Sequence, residues 1–300
     1  MNFPRRRFLC VLGIVCLILL SSTCDSGVRF AVVADIQYHP GKSLGTRYYS
    51  VSLAKLQECL SRLNKEGLRF VINLGDTIDH DFKSFERVMP LWKKLKAPLF
   101  HVLGNHDFDF PEASEDRVLS ALKMKQAYHA FSRGKWRFIV LHGFELRFPF
   151  PQDEMLANEA EALYLRLRAE GREHAQRWNG GIGRKQMDFL RSELEDAERS
   201  RKNVLVFCHF PVLPEAAHNL WNDREMVELL KAFPTVKAYF SGHNHEGDYI
   251  LQDGIHYLTF QGMVETADSS AFAVVSLEKN AIKIKGFGRE PSRTLRIHTR

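Results

Sequence analysis

The chain has 300 residues, 45% of them hydrophobic, and a formal net charge of +6. That is enough apolar material for a sizeable core, and no repeat or low-complexity tract interrupts it. Residues 1–23 hold three arginines and no acid; beyond them 39 basic residues face 36 acidic ones, so the charge gives no reason to expect nucleic-acid binding.

Arg5-Arg6-Arg7, the apolar run Phe8–Leu20 and the small residues Ser21-Ser22-Thr23 read as an export signal. The run is 13 residues long, short of the ~20 needed to span a bilayer. Residues 5–9 also resemble a twin-arginine signal, and Cys24 is a candidate lipid-attachment site. The expectation is an exported protein that meets membrane only through this segment, retained as an anchor or lipidated at Cys24. The remaining cysteines, Cys59 on a helix and Cys208 at a strand end, form no disulfide framework.

The folded part is expected to be one domain over residues 28–300. Phe30–Ala34 reads as a buried strand that ends in Asp35-Ile36-Gln37. Leu53, Leu56, Leu60 and Leu63 recur at helical spacing and predict a helix over residues 49–66, closed by Gly67. A second strand, Phe70–Leu74, opens into Gly75-Asp76-Thr77-Ile78-Asp79. After a helix over Phe82–Lys94, a third strand, Leu99–Leu103, ends in Gly104-Asn105-His106-Asp107. A helix over Glu112–Lys125 and a strand over Trp136–Leu141 follow. This alternation predicts crossover units and a largely parallel sheet in an α/β fold.

Residues 144–180 break the pattern. Pro149 and Pro151 precede a charged helix over Asp153–Glu170, which reads as a cap-like insertion whose charges form a solvated face. Gly180-Gly181 and Gly183 form the turn before a helix over Arg184–Ser200. The strands Val204–Phe207 and Val236–Phe240 lead to Cys208-His209 and Gly242-His243-Asn244-His245. Tyr249–Gln252, His256–Phe260, Phe272–Leu277 and Ile282–Lys285 are expected to be antiparallel strands.

Five polar segments therefore stand at the carboxyl ends of strands, where ligands of such sheets collect. They offer carboxylates, amide oxygens and several imidazoles without a thiolate cluster. That mixture suits two ions of Mn, Fe or Zn and the hydrolytic chemistry of a metal pair. His243 and His245, two apart on an extended segment, project to the same side. Glycines before Asp76, Asn105 and His243 allow a sharp backbone turn.

The order D-x-Q, G-D-x-x-D, G-N-H-D, a lone His after a strand, and G-H-x-H resembles the calcineurin-like metallophosphoesterase superfamily. The resemblance implies a four-layer sandwich, two mixed β-sheets face to face with helices outside. It also implies that Asp35, Gln37, Asp76 and His245 hold one metal and Asp76, Asn105, His209 and His243 the other, with Asp76 the bridge. A hydroxide between the ions would attack phosphorus in line. His106, next to Asn105, should stand beside the ions, to protonate the leaving oxygen or to stabilise the transition state. Asp79 is by resemblance the carboxylate that orients His106, with Asp107 as the competing candidate.

Gln37 departs from the superfamily's usual D-x-H. Together with Arg47-Tyr48-Tyr49, Trp178-Asn179-Gly180-Gly181-Ile182-Gly183, Leu220-Trp221-Asn222 and Gly262-Met263-Val264-Glu265-Thr266, it resembles the manganese-dependent ADP-ribose/CDP-alcohol diphosphatase branch. That implies two divalent ions, Mn foremost, and a small pyrophosphate-linked nucleotide as substrate. Arg47 is the candidate grip on the second phosphate. Asn179 and Gly180 are candidate phosphate or ribose contacts, the alternative for the glycines being a simple helix entry. Tyr48, Tyr49, Trp178 or Trp221 are candidates to stack on a base. The competing functions are a phosphodiesterase or phosphomonoesterase of the same superfamily, and a surface-anchored binding protein without catalysis. A protein phosphatase fits less well, because His80 stands where that group carries an arginine.

Overall fold

A computed structural model describes residues 27–149 and 153–298. The export segment, the candidate lipid site Cys24 and the helix-breaking Pro151 lie outside the described residues. No described helix is long and apolar enough to cross a membrane.

Two six-stranded sheets form the frame. The first is ordered β12 (Arg293–Arg296), β11 (Ala281–Gly288), β10 (Ala271–Leu277), β1 (Arg29–Val33), β2 (Phe70–Asn73), β3 (Leu99–His101). The second is ordered β4 (His129–Arg133), β5 (Trp136–Val140), β6 (Asn203–Phe207), β7 (Val236–Ser241), β9 (Ile255–Thr259), β8 (Asp248–Gln252). Both are mixed. β1–β2–β3 and β5–β6–β7–β9 are parallel, and the outer strands join them antiparallel. The four strands after His245 were expected to be antiparallel. β8 and β9 do form an antiparallel hairpin, but β9 also extends the parallel set by pairing with β7.

The sheets are joined through alternate residues, as a period of two requires. Phe30 and Val32 of β1, Phe70 and Ile72 of β2, Phe138 and Val140 of β5, and Leu205 and Phe207 of β6 share one buried cluster. Phe30 stacks on Phe70 at 4.7 Å and meets Phe138 and Phe207 edge-on at 5.8 and 5.9 Å. The intervening residues Ala31, Val33, Val204 and Val206 belong to a different cluster, with helical residues such as Leu56, Leu60 and Leu190. These four strands are thus apolar on both sides, which is why their segments read as continuous hydrophobic runs.

The helices α1 (Ser52–Leu63), α2 (Ser84–Trp92), α3 (Glu115–Leu122), α4 (Glu154–Ala169) and α5 (Arg184–Arg199) fall inside the predicted spans. α3 and α4 start where a cap is available: Ser114 accepts from the Arg117 N–H and Asp153 from the Leu156 N–H. Ala160 and Leu167 of α4 pack with Leu146, Ala175 and Trp221 in a small cluster of their own. Three elements were not anticipated: β4, β12 and α6 (Asp223–Lys231).

Candidate metal centre

The ends of five strands deliver the candidate ligands to one place. Asp35 and Gln37 follow β1, Asp76 follows β2 and Asn105 follows β3. From the other sheet, His209 follows β6, while His243 and His245 follow β7. All seven side chains are buried. Asp76, His209 and His243 offer donor atoms within 4.8 Å of one another. His209 Nε2 is 3.2 Å from Asn105 Oδ1 and 3.2 Å from Asp76 Oδ2. His245 Nε2 is 3.4 Å from Asp35 Oδ1 and 3.1 Å from Gln37 Nε2, and that amide nitrogen reaches Asp76 Oδ2 at 3.1 Å.

Hydrogen bonds behind the cluster fix what each imidazole presents to it. His209 Nδ1 donates to the Leu74 carbonyl at 2.8 Å, and a carbonyl only accepts, so Nε2 is the atom left with the lone pair. His245 Nδ1 donates to Glu265 Oε1 at 2.7 Å, which again leaves Nε2. His243 is the mirror case. The Asn179 amide donates through Nδ2 to the His174 and Ala217 carbonyls, which fixes its orientation and points Oδ1 at His243 Nε2, 2.8 Å away. His243 therefore keeps its lone pair on Nδ1. Three imidazoles oriented by a carbonyl, a carboxylate and an amide follow the pattern of outer partners that orient metal-ligating histidines.

The backbone is committed to the same spot. Asp35, Gln37, Asp76 and His243 all hold a positive φ, at 51°, 43°, 52° and 68°. Non-glycine residues in that region cost on the order of 1–3 kcal/mol each and cluster at functional sites. Gly75 turns at φ +102°, and a Cβ there would lie 2.6 Å from His209 Nδ1. Gly104 has no such turn. A Cβ on it would sit 2.1 Å from Asp76 Oδ1, so this glycine provides space and not the sharp turn expected from its position.

These residues fit a pair of divalent cations. The His209 lone pair points at two acceptor oxygens, a contact that is repulsive unless a positive charge lies between them. Gln37 Oε1 is buried without a hydrogen-bond partner among the described residues. In the ion-free protein a proton takes that role. Burial opposes charge on His209 and His245, but the carboxylates of Asp76 and Asp35 prevail and raise both rings to about 9. Asp76 is correspondingly held well below the usual carboxylate range: burial acts against it, and His209 and His106 outweigh burial.

His106 stands beside this cluster. Its backbone N–H donates to Asp76 Oδ1 at 2.8 Å, and its Nδ1 is 2.8 Å from Asp79 Oδ1. Asp107 does not reach the ring. It accepts from the backbone N–H groups of Thr77, Gly104 and Asp76 at 2.8, 3.0 and 3.2 Å, tying two ligand loops together.

Two cavities meet at His106. The smaller, about 350 Å³, is lined by Gln37, Arg47, His218, His243 and His245. The larger, about 770 Å³, is lined by Phe108, Phe144, Phe148, Arg147 and Arg177 among others. Asn105, His106 and Trp178 line both. Arg47 thus faces the open cleft, as its expected role requires. Asn179 and Gly180 do not. Asn179 is fully buried with its amide engaged behind His243, and a Cβ on Gly180 would be 2.5 Å from the Gly143 carbonyl. Both belong to the support of the centre, which corrects their reading as substrate contacts. Of the aromatic candidates, Tyr49 and Trp221 are buried at 2% and 1% exposure, whereas Trp178 is 50% exposed at the rim.

Sequence reasoning missed His218, whose ring is 5.4 Å from that of His243, and His80, whose Nδ1 is 2.7 Å from Asp109 Oδ2 and 3.3 Å from Asp79 Oδ1. It also left Glu265 without a role. Lys55 of α1 donates to the carbonyls of Val264, Glu265 and Thr266, which holds the Glu265 carboxylate against His245. His80 had a signal, since it follows Asp79 directly; His218 had none.

Comparison with known proteins agrees with this geometry. A family model described as calcineurin-like phosphoesterase matches residues 28–247. The manganese-dependent ADP-ribose/CDP-alcohol diphosphatase of Xenopus laevis is 30% identical over 89% of this chain and 89% of its own length. The Arabidopsis thaliana protein of the same name is 30% identical over 88% of this chain and 95% of its own. Among solved structures, a dimetal phosphatase from Danio rerio superposes with a TM-score of 0.83 at 23% identity, covering 91% of this chain and all of that one.

Proposed function

The chain belongs to the calcineurin-like phosphoesterase family, and on that premise we propose that it hydrolyses the pyrophosphate bond of nucleoside diphosphate-linked compounds such as ADP-ribose or CDP-alcohols. The relatives at about 30% identity are named for that activity and for manganese. The observation that carries the reading here is His106, tethered to Asp79 and bordering two cavities that could take the two halves of a pyrophosphate-linked substrate.

Asp35, Gln37, Asp76 and His245 would hold one ion, and Asp76, Asn105, His209 and His243 the other. When bound, such ions would supply an acidified water as the nucleophile and would neutralise charge on the phosphoryl oxygens. The protein's own part is positioning and proton transfer. Arg47 grips the phosphate in the smaller cavity. His106, aligned through Nδ1 by Asp79, hands the proton on Nε2 to the departing oxygen. Lys55 and Glu265 keep His245 at one angle while charge shifts in front of it.

A substrate panel tests the reading. ADP-ribose, CDP-choline, cyclic AMP and a monoester would each be incubated with Mn, with Mg and without metal. The expected result is AMP and ribose 5-phosphate from ADP-ribose, with Mn present and no inorganic phosphate released. Turnover of cyclic AMP or the monoester alone would replace this reading with a phosphodiesterase or phosphomonoesterase.

A further inference from the structure

The larger cavity is not needed to hold metal, yet it opens directly beside the acid His106. Its charges are unequal in status. Of its two carboxylates, Asp109 is bonded to His80, and Glu112 lies 4.0 Å from Arg117. Its two guanidiniums are in no ion pair among the described residues. Arg147 is half-buried over the Phe108 ring at 4.9 Å and makes only two long hydrogen bonds, 3.3 and 3.4 Å, to the Phe144 and Glu145 carbonyls. Burial pushes this guanidinium below its ordinary value, and the more distant carboxylates of Glu115 and Glu145 act against burial without forming an ion pair with it. Arg177 lies exposed over the Phe148 ring at 4.1 Å. Trp178 offers a further half-exposed ring at the mouth.

Two guanidiniums without an ion-pair partner among the described residues, interleaved with aromatic rings, suit a ligand that is flat and anionic. It is unsuited to a quaternary ammonium, which aromatic rings attract but two guanidiniums repel. We infer that this cavity is the subsite for the departing half of the substrate, and that the half it takes is the nucleoside monophosphate. This rests on the pyrophosphatase reading above and adds a direction to it. The water oxygen bonds to the phosphorus of the non-nucleotide half. The bond between that phosphorus and the bridging oxygen breaks, and its electron pair stays on the bridging oxygen. That oxygen leaves with the nucleotide and receives the proton from His106.

Cleavage of CDP-choline with Mn in H₂¹⁸O reports the direction without any substitution. The expected products are phosphocholine carrying one ¹⁸O and unlabelled CMP. Label in CMP would overturn the assignment. Inhibition of a chromogenic phosphodiester's hydrolysis tests the subsite by a second route, one that does not need pyrophosphate to be a substrate. AMP should inhibit more strongly than phosphocholine. Arg147→Gln and the exposed Arg177→Gln should each raise the AMP inhibition constant, about tenfold for Arg147 by the usual worth of a charge-assisted contact, and leave that of phosphocholine within twofold. Equal effects on both inhibitors, or none, would remove the nucleotide from this cavity. If CDP-choline is untouched while the inhibition pattern holds, the pyrophosphatase reading fails and the subsite stands.

Discussion

Around Asp76, four of seven ligand candidates hold a left-handed backbone, three imidazoles have their protonation fixed from behind, and all seven side chains are buried. Around Arg147, the lining comes from loops, a guanidinium rests on rings, and Trp178 is half in solvent. One region is enclosed and over-determined, and the other opens to solvent at its rim. Geometry that is expensive to move suits holding ions at fixed positions, because small displacements cost large factors in rate. A cavity lined by rings and guanidiniums away from the ligand cluster suits discrimination, since its residues can change what binds without disturbing what reacts. Substitutions should therefore divide into those that abolish turnover and those that redirect it.

The sharpest division is expected at Asp76. Asp76→Ala should empty at least one ion position and lower kcat by about 10³-fold or more, as loss of several kcal/mol of charge stabilisation implies. Metal analysis of the purified variant beside its kinetics checks both parts. His106→Ala should lower kcat by about 10²-fold or more with both ions retained. Loss of metal from that variant would mean that His106 had been misassigned. Glu265→Gln removes the charge behind His245, and an outer partner of this kind is worth about 10–100-fold in metal affinity. Titration with Mn should show that weakening, with kcat at saturating metal much less affected. The smallest effect is expected in the other region. Trp178→Ala should raise KM for a nucleotide substrate about fivefold or more, as loss of a stacking face of 1–3 kcal/mol suggests, with metal content unchanged. A fall in bound metal there would erase the contrast between the two regions.

The same contrast explains what could be read from the chain alone. Asp35, Asp76, Asn105, His209, His243 and His245 lie in polar segments at the ends of apolar runs, so type and position marked those segments, and the resemblance to the superfamily selected the ligands within them. Gln37, two residues after Asp35, was legible only through the D-x-Q resemblance. The cavity residues carry no such mark. Phe108, Phe144 and Phe148 look like any core aromatic until the loops that hold them are folded, and Arg147 resembles a solvated charge. Asn179 and Gly180 show the limit from the other side: a glycine-rich turn with an amide reads as a phosphate or ribose contact or as a helix entry, and folding places the Asn179 amide behind His243. Among the elements, β4 escaped notice because its residues are half-exposed and include His129, Ser132 and Arg133. α6 is a short helix that begins directly after Trp221-Asn222, with no apolar run long enough to mark it.

The seven donors divide between the sheets, four from the first and three from the second. A cation gripped there clasps two layers that are otherwise joined by their oily faces and by a few hydrogen bonds, such as His209 to the Leu74 carbonyl and His256 to the Arg296 carbonyl. Occupancy and durability then become one quantity: melting temperature should climb with free Mn, and a chelator should shorten the half-life under protease attack as it stops turnover. Metal supply would in this way govern how long each copy lasts as well as how fast it works.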